Sequence, residues 1–356
     1  MSDPAAAPPE EIRFERNGRL GLVIPDRPRA LNALTTGMCA SFLDQLAQWR
    51  DDPEIAAVVV LSRHERAFCA GGDVVMLARS AKAGTGDWRT FFETEFRLNT
   101  AIREFEKPYV ALIDGITMGG GVGISVHGRF RVASERTRLA MPETGIGYFP
   151  DVGGTYVLSR LPGGTGIWLG LTGASIDGAD CAALGLASHY VPHAAMEALL
   201  AALARLDAPD ASAIETCLAA GATDPGAGSL SAVRERIDHF FGKDSLAAIL
   251  AGLAGSDDPW ARDQLALLRT KSPRSLGVTF EALRRARGLS FRETMRMELR
   301  VASHLATAPD FHEGVRALLI DKDKTPRWSP STLDGLTGEA VAAAFGPWGE
   351  DLSFAG

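Results

Sequence analysis

The sequence has few cysteines, and their spacing provides neither a metal site nor a disulfide framework. Cys39, Cys69, Cys181 and Cys217 are widely separated, form no CxxC pair and have no histidine partners at metal-ligand spacing. We therefore expect four reduced thiols in a reducing compartment and no bound metal.

The chain also lacks an excess of positive charge, a long apolar run and a recognisable leader. It has 37 Lys and Arg against 44 Asp and Glu, which argues against nucleic-acid binding because that function needs a basic surface. No apolar run approaches the roughly 18–20 residues that span a bilayer. Residues 1–11 are acidic and rich in Ala and Pro, unlike a targeting segment. We expect a cytosolic protein that binds neither nucleic acid nor membrane.

Glycine, in contrast, is abundant, with 38 in 356 residues. Many are clustered, which indicates loops where the backbone must come close to something. Apolar runs such as Val58-Val59-Val60 predict strands that are buried on both faces. The predicted strands lie at 20–24, 56–61, 109–113 and 130–133, and the predicted helices begin after Thr35, at Phe91 and at Val122. Strand, glycine turn and helix recur, so we predict an α/β fold with a largely parallel sheet.

The character of the chain changes after about Val191. The remainder is rich in Ala and Leu and helical in periodicity, with a linker-like break from Gly221 to Gly228. We predict a flexible N-terminal arm at 1–16, a core carrying the site at 17–195, a helical C-terminal region at 196–350 and a tail at 351–356.

Two glycine loops each follow a predicted buried strand and open a helix. The first is Phe68-Cys69-Ala70-Gly71-Gly72-Asp73, and the second, from Asp114 to Gly123, has glycine at 119, 120, 121 and 123. Free N–H groups at such helix starts suit a developing oxyanion. An ordinary turn with Asp73 as N-cap, or close helix packing at the second loop, explains the same patterns. The second loop is not a dinucleotide fingerprint, because its spacing differs.

Two acidic residues follow in the proline-bearing loop from Met141 to Asp151, each directly after a proline. Glu143 and Asp151 have apolar neighbours, and a carboxylate in such surroundings can act as an acid or a base. Two solvated loop acids would show the same spacing. Cys69 has no histidine in a recognisable pairing, which disfavours a thiol nucleophile.

Taken together, these segments resemble the crotonase (enoyl-CoA hydratase/isomerase) superfamily. The resemblance covers about residues 17–191 and resumes at 271–276 and 310–317. It is carried by Arg29-Ala30-Leu31-Asn32-Ala33-Leu34, Ala67 to Asp73, Lys107-Pro108, the second glycine cluster, Pro142-Glu143 and Gly153-Gly154. Within the superfamily, Met141 to Thr144, Phe149 to Gly154 and Gly314 to Asp323 are similar to the 3-hydroxyisobutyryl-CoA hydrolase subfamily.

The resemblance implies a spiral of ββα units, a helical C-terminal region and an acyl-coenzyme A site. The amides of Gly72 and Gly120 would hold the thioester carbonyl, with Asp151 near the acyl group. Glu143 would be the catalytic carboxylate, either activating water or attacking directly to give a mixed anhydride. The resemblance also implies that Glu95 binds the substrate. The adenosine end of coenzyme A would lie along Arg29, Ala30, Leu31 and Ala70. Asp73 is a further candidate for a substrate contact.

One departure from the family pattern separates two reactions. Hydratases that resemble this chain carry a second glutamate where it has Gly123, and they usually have glycine where it has Asp151. The resemblance therefore favours hydrolysis of a short 3-hydroxyacyl-CoA, above all 3-hydroxyisobutyryl-CoA in valine catabolism. An isomerase or hydratase reaction, and a non-catalytic acyl-CoA-binding protein, stay open. We expect no cofactor beyond the coenzyme A of the substrate, and the sequence leaves a homo-oligomer open.

Overall fold

The computed structural model of the chain describes residues 11–354. The predicted arm up to Glu10 and the last two residues of the predicted tail lie outside the described residues. From residue 12 onward the prediction of a flexible arm is wrong, because Ile12–Asn17 pairs with Leu20–Pro25 as an antiparallel hairpin. Gly18, at a φ of +62°, supplies the left-handed backbone that this two-residue turn requires.

Two sheets contain the ten strands of the described chain. They are β1 (Ile12–Asn17), β2 (Leu20–Pro25), β3 (Ala57–Val60), β4 (Ala67–Cys69), β5 (Tyr109–Ile113), β6 (Ile116–Met118), β7 (Phe130–Ala133), β8 (Arg138–Ala140), β9 (Ile176–Asp177) and β10 (His189–Tyr190). The large sheet has the order β1-β2-β3-β5-β7-β10 and is parallel beyond the first hairpin. The small sheet has the order β4-β6-β8-β9.

Successive strand pairs divide between these sheets. β3 and β4, β5 and β6, and β7 and β8 each place the first strand in the large sheet and the second in the small one. With the intervening helices, this repeated step is a spiral of ββα units, and the predicted fold class is confirmed. The short strands of the small sheet escaped prediction because they have two or three residues each.

Sixteen α-helices lie between Glu11 and Phe354. They are α1 (Thr36–Asp51), α2 (Val74–Ala83), α3 (Asp87–Arg103), α4 (Gly120–Gly123), α5 (Gly154–Leu158), α6 (Thr165–Thr172), α7 (Gly178–Ala183), α8 (Met196–Ala204), α9 (Ala211–Gly221), α10 (Arg234–Phe241), α11 (Leu246–Ala254), α12 (Pro259–Arg269), α13 (Pro273–Ala286), α14 (Phe291–Ala306), α15 (Pro309–Val315) and α16 (Gly338–Ala343). Thr35 caps α1 as predicted, accepting a hydrogen bond from Met38 N at 3.2 Å. The helix predicted to begin at Val122 is instead the single turn α4, which begins two residues earlier and ends at Gly123.

The inner strands of the large sheet are buried on both faces, as the valine run of β3 predicts. Val58 and Val60 face the main hydrophobic core, whereas Val59 faces a second cluster. Leu199 of α8 and Leu218 of α9 cover that second face. The apolar side chains of α8 and α9 thus cover one face of the large sheet. Both helices come after residue 195, where the core was predicted to end.

The remaining C-terminal helices pack on the other side of the molecule. α14 lies against α3, α13 against α5 and α6, and α15 against α2. Since α2 and α3 follow the first glycine loop, this packing brings C-terminal side chains up to the predicted site.

Candidate active site

Both glycine loops and three carboxylates line one cavity of about 270 Å³. Of the predicted site residues it contains Ala70, Gly72, Glu95, Gly120, Glu143 and Asp151, and its other walls are largely apolar. Two larger clefts, of about 710 and 1140 Å³, contain none of the predicted site residues. The smallest of these three cavities is therefore the candidate active site, because carboxylates and free backbone amides face each other in it.

Backbone bonding holds the two glycine loops side by side. Leu34 N donates to Gly71 O at 2.7 Å, and Asp73 N donates to Leu34 O at 2.9 Å, so the neighbours of Gly72 are fixed on both sides. Gly120 begins α4, where an N–H group has no partner within the helix. Within residues 11–354 neither the Gly72 nor the Gly120 amide donates a hydrogen bond to another backbone group. Both are available to a ligand oxygen.

Three carboxylates face these amides from different elements. Glu95 comes from α3, Glu143 opens the short 3-10 helix Glu143–Ile146, and Asp151 precedes α5. They are 2%, 8% and 5% exposed, and across the described chain no Lys, Arg or His forms an ion pair with any of them. Glu95 Oε1 and Glu143 Oε2 have no hydrogen-bond partner within 11–354. These two oxygens are free to bind substrate.

The burial of this cluster governs its protonation. Burial raises the pKa of Glu95 well above its ordinary value, and the charges of Asp151 and Glu143 raise it further. Burial and the charge of Asp151 act likewise on the pKa of Glu143. Burial raises the pKa of Asp151 to about 7. The cluster therefore carries protons at neutral pH and can exchange them with a substrate.

Tyr148 is part of the site although the sequence analysis did not select it. Its hydroxyl donates to Asp151 Oδ2 at 3.0 Å, and its ring stacks on Phe92 with centroids 5.6 Å apart. An aromatic residue inside the Gly147–Pro150 loop, beside two candidate acids, was the available signal.

Glu298 of α14 is a second buried acid that the sequence analysis missed. Its carboxylate accepts hydrogen bonds from Gly153 N at 2.7 Å, from Thr155 N at 3.1 Å and from the Thr155 hydroxyl. Burial raises its pKa to about 8. Glu298 thus fixes the backbone immediately after Asp151, and no local pattern in α14 marks that role.

Gly123 lies where no larger side chain fits. A Cβ atom at this position would stand 2.7 Å from Asn99 Nδ2 and 2.8 Å from Val152 Cβ, closer than real contacts allow. Asn99 and Val152 are themselves buried. A glutamate at position 123 would therefore require Asn99 or Val152 to move.

Asp73 does not line the cavity, and its assignment as a substrate contact stays a prediction. Its side chain caps α2 by accepting from Met76 N at 3.2 Å and pairs with Arg27 at 3.2 Å. Both carboxylate oxygens are therefore in use. Arg29, Ala30 and Leu31 also lie outside the cavity wall, but Ala70 N donates to Leu31 O at 3.0 Å, so this segment adjoins the first glycine loop.

Cys69 and His127 are buried in the protein interior and have structural rather than catalytic surroundings. Cys69 is fully buried, and burial raises the pKa of its thiol to about 12, so a thiolate nucleophile is disfavoured. Burial lowers the pKa of His127 to about 4, and its ring bonds Val152 O at 2.7 Å. From Glu11 to Phe354 no three His, Cys, Asp or Glu side chains are grouped as a metal ion requires. None of the helices there is long and apolar enough to cross a bilayer.

The spiral of ββα units and the cavity with two free amides are typical of one family of proteins, and comparison with known families identifies the same one. The family model described as enoyl-CoA hydratase/isomerase matches residues 20–345. The chain therefore belongs to the enoyl-CoA hydratase/isomerase family, and the predicted family resemblance is confirmed.

The chain is similar along nearly its whole length to named 3-hydroxyisobutyryl-CoA hydrolases. It is 43% identical to the mitochondrial enzyme of Danio rerio over 342 residues, covering 94% of this chain and 89% of that protein. It is 39% identical to the mitochondrial enzyme of Homo sapiens over 351 residues, covering 97% and 91%.

Solved structures share the fold under other names. A carnitinyl-CoA dehydratase from Mycobacterium thermoresistibile superposes with a TM-score of 0.91 at 42% identity, covering 98% of this chain and 99% of that one. An enoyl-CoA hydratase from Rhodobacter sphaeroides 2.4.1 gives 0.89 at 38% identity, covering 97% and 100%. The names thus divide between thioester hydrolysis and hydration.

Proposed function

We propose that this protein hydrolyses the thioester of a short 3-hydroxyacyl-CoA, 3-hydroxyisobutyryl-CoA above all, to the 3-hydroxy acid and free coenzyme A. One observation carries the proposal. The amides of Gly72 and Gly120, which are free of backbone partners, share one small cavity with three buried carboxylates. The identity of about 40% to named 3-hydroxyisobutyryl-CoA hydrolases supports this substrate.

The two amides would act on the carbonyl oxygen. When water adds to the thioester carbon, negative charge develops on that oxygen, and preorganised N–H groups in a dry cavity stabilise it. The tetrahedral intermediate then collapses by breaking the C–S bond. The proton lost by water ends on the coenzyme A thiolate, so no redox group takes part.

Glu143 and its neighbours would move the protons and hold the acyl group. Glu143 Oε2 is unpartnered, and Oε1 of the same carboxylate lies next to Gly119 of the second glycine loop. This is the position required of a base or of a nucleophile that forms a mixed anhydride. Asp151 and Glu95 would bind the 3-hydroxyl. A site built to bind a hydroxyl rejects an acyl group that lacks it, because its polar groups are then left unpaired.

Hydration is the second candidate, favoured by the names of the two solved structures that are 38–42% identical to the chain. Its weakness lies at position 123. The hydratase pattern requires a glutamate there, and Asn99 and Val152 occupy the space that its side chain would need. A non-catalytic binding protein would not need three carboxylates kept in a largely apolar cavity, where each must be desolvated.

Cellular role and assembly follow from this proposal. A 3-hydroxyisobutyryl-CoA hydrolase serves valine catabolism, and the four widely separated cysteines, which suit a reducing compartment, are the basis for proposing a cytosolic location. The named relatives are mitochondrial proteins, so cell fractionation is the test. Homo-oligomer formation stays a prediction for sedimentation to examine.

The test of the reaction is thiol release from 3-hydroxyisobutyryl-CoA by the wild type, Glu143→Gln and a matched control. Glu235→Gln is that control, because Glu235 is exposed on α10. We expect rapid release by the wild type and the control, and a loss of about 10²–10⁴-fold in Glu143→Gln. Absence of release by the wild type would overturn the proposal, and undiminished release by Glu143→Gln would remove Glu143 from it.

A further inference from the structure

Tyr148 holds one of the three cavity carboxylates and leaves the other two free. Its hydroxyl donates to Asp151 Oδ2 at 3.0 Å, while Glu95 Oε1 and Glu143 Oε2 have no partner in the described part of the chain. The ring of Tyr148 is 3% exposed and contacts Phe92, Phe149 and Phe311. The phenol is therefore fixed in one orientation toward Asp151.

The direction of this hydrogen bond is also fixed. Burial and the nearby charge of Asp151 raise the pKa of Tyr148 well above its ordinary value, so the phenol keeps its proton and stays the donor. A hydrogen bond donated to a carboxylate favours its charged form and lowers its pKa. Asp151 receives that stabilisation from a side chain, whereas the free oxygens of Glu95 and Glu143 do not.

Within residues 11–354 no cationic side chain pairs with any of the three carboxylates, so no ion pair selects one of them for ionisation. The titratable groups packed around Asp151 are Glu95 on α3, Glu143 in the 3-10 helix, Tyr148 in its own loop and Glu298 on α14. His127 binds the carbonyl of the next residue, Val152, and burial keeps it neutral. Three like charges this close cannot all develop together, so the group with the best donor ionises first.

We propose that Tyr148 is a positioning residue, which places the first negative charge of the Glu95–Glu143–Asp151 cluster on Asp151. This inference rests on the proposed function only in taking Asp151 as the partner of the 3-hydroxyl. An ionised Asp151 can only accept hydrogen bonds, so it orients the hydroxyl of the acyl group as a donor. Glu143 then loses its proton after Asp151, so the form in which Glu143 is a free base already carries the charge on Asp151, while Glu95 stays protonated.

The pH profile of kcat/KM separates this role from mere packing. In Tyr148→Phe we expect the acid limb to move up by about one pH unit, because a charged hydrogen bond shifts such an equilibrium about tenfold or more. Activity at pH 6 should fall about tenfold below wild type and recover toward it above the new limb. Tyr156→Phe is the matched control, since the Tyr156 hydroxyl forms no hydrogen bond within residues 11–354 and its ring instead packs under Arg160 at 3.6 Å. An equal loss at every pH, with the limb unmoved, would overturn the inference.

A second measurement needs no turnover and so stays informative if the proposed reaction is wrong. Infrared titration of the unliganded protein, with Asp151→Asn as the reference for subtraction, follows the Asp151 carboxylate band directly. In the wild type it should titrate near the pKa of about 7, and in Tyr148→Phe about one pH unit higher. Titration at the same pH in both proteins would overturn the assignment, whatever thioester the enzyme hydrolyses.

Discussion

Replacing Asp151 with asparagine should stabilise the folded protein while impairing its proposed reaction. Asp151 is 5% exposed and has no cationic partner in the described chain, and burial raises its pKa from the ordinary 3.8 to about 7. Asparagine has nearly the same shape and can still accept the hydrogen bond of Tyr148. The substitution therefore removes the cost of a buried carboxylate and keeps its contacts.

The magnitude and its pH window follow from that pKa. Between about pH 4 and pH 7 the native state holds a proton on Asp151 that the unfolded state has released, so each rise in pH lowers the free energy of unfolding. A pKa difference of this size corresponds to roughly 4 kcal/mol at full effect. The gain of Asp151→Asn over wild type should be small near pH 4, should grow up to pH 7 and should then level off.

Urea denaturation at pH 5, 7 and 8 measures this difference. Asp263→Asn, at an exposed position of α12, is the matched control and should leave the pH dependence unchanged. A variant that is less stable than wild type at pH 8, or whose stability difference is the same at all three pH values, would refute the reasoning. We expect Asp151→Asn to be more stable and less active than the wild type, because the buried carboxylate that the reaction needs destabilises the folded protein.

Two further substitutions test the packing of the second glycine loop. In Gly120→Ala the new methyl group would press on Glu95 Oε1 and stand 3.1 Å from Leu34 Cδ1. The clash should displace the Gly120 amide, so thiol release should fall about 10²-fold. Release by this variant at the wild-type rate would show that the amide is not needed. In Gly123→Ala the methyl group would meet Asn99 and Val152, so urea denaturation should show a loss of about 1–3 kcal/mol; an unchanged midpoint would show that the space at position 123 is larger than described.

The parts of the fold and site that the sequence predicts are those with local causes. A run such as Val58-Val59-Val60 has few alternatives to a strand buried on both faces, and β3 has that environment. Thr35 caps its helix through a contact three residues away. The two glycine loops and Glu143 were identified because their patterns are continuous in the sequence.

The parts that escaped prediction depend on distant contacts. Glu298 bonds the Thr155 amide across 143 residues of chain, and nothing within α14 distinguishes it from a solvated helix glutamate. Asp73 shows the opposite case, because the local explanation of its position, an N-cap, is the one that the structure has. The role of Tyr148 becomes visible only when its hydroxyl is seen to reach Asp151.

We infer that this cavity breaks a thioester rather than adding or removing water. The most direct test incubates 3-hydroxyisobutyryl-CoA with the wild-type protein and resolves two products in one reaction, the free coenzyme A thiol and the dehydrated 2-enoyl-CoA. We expect free thiol and 3-hydroxy acid in equal amounts, with no enoyl-CoA above background. Formation of the enoyl-CoA without thiol release would contradict this inference, and would show that the chain performs the dehydratase reaction despite glycine at position 123.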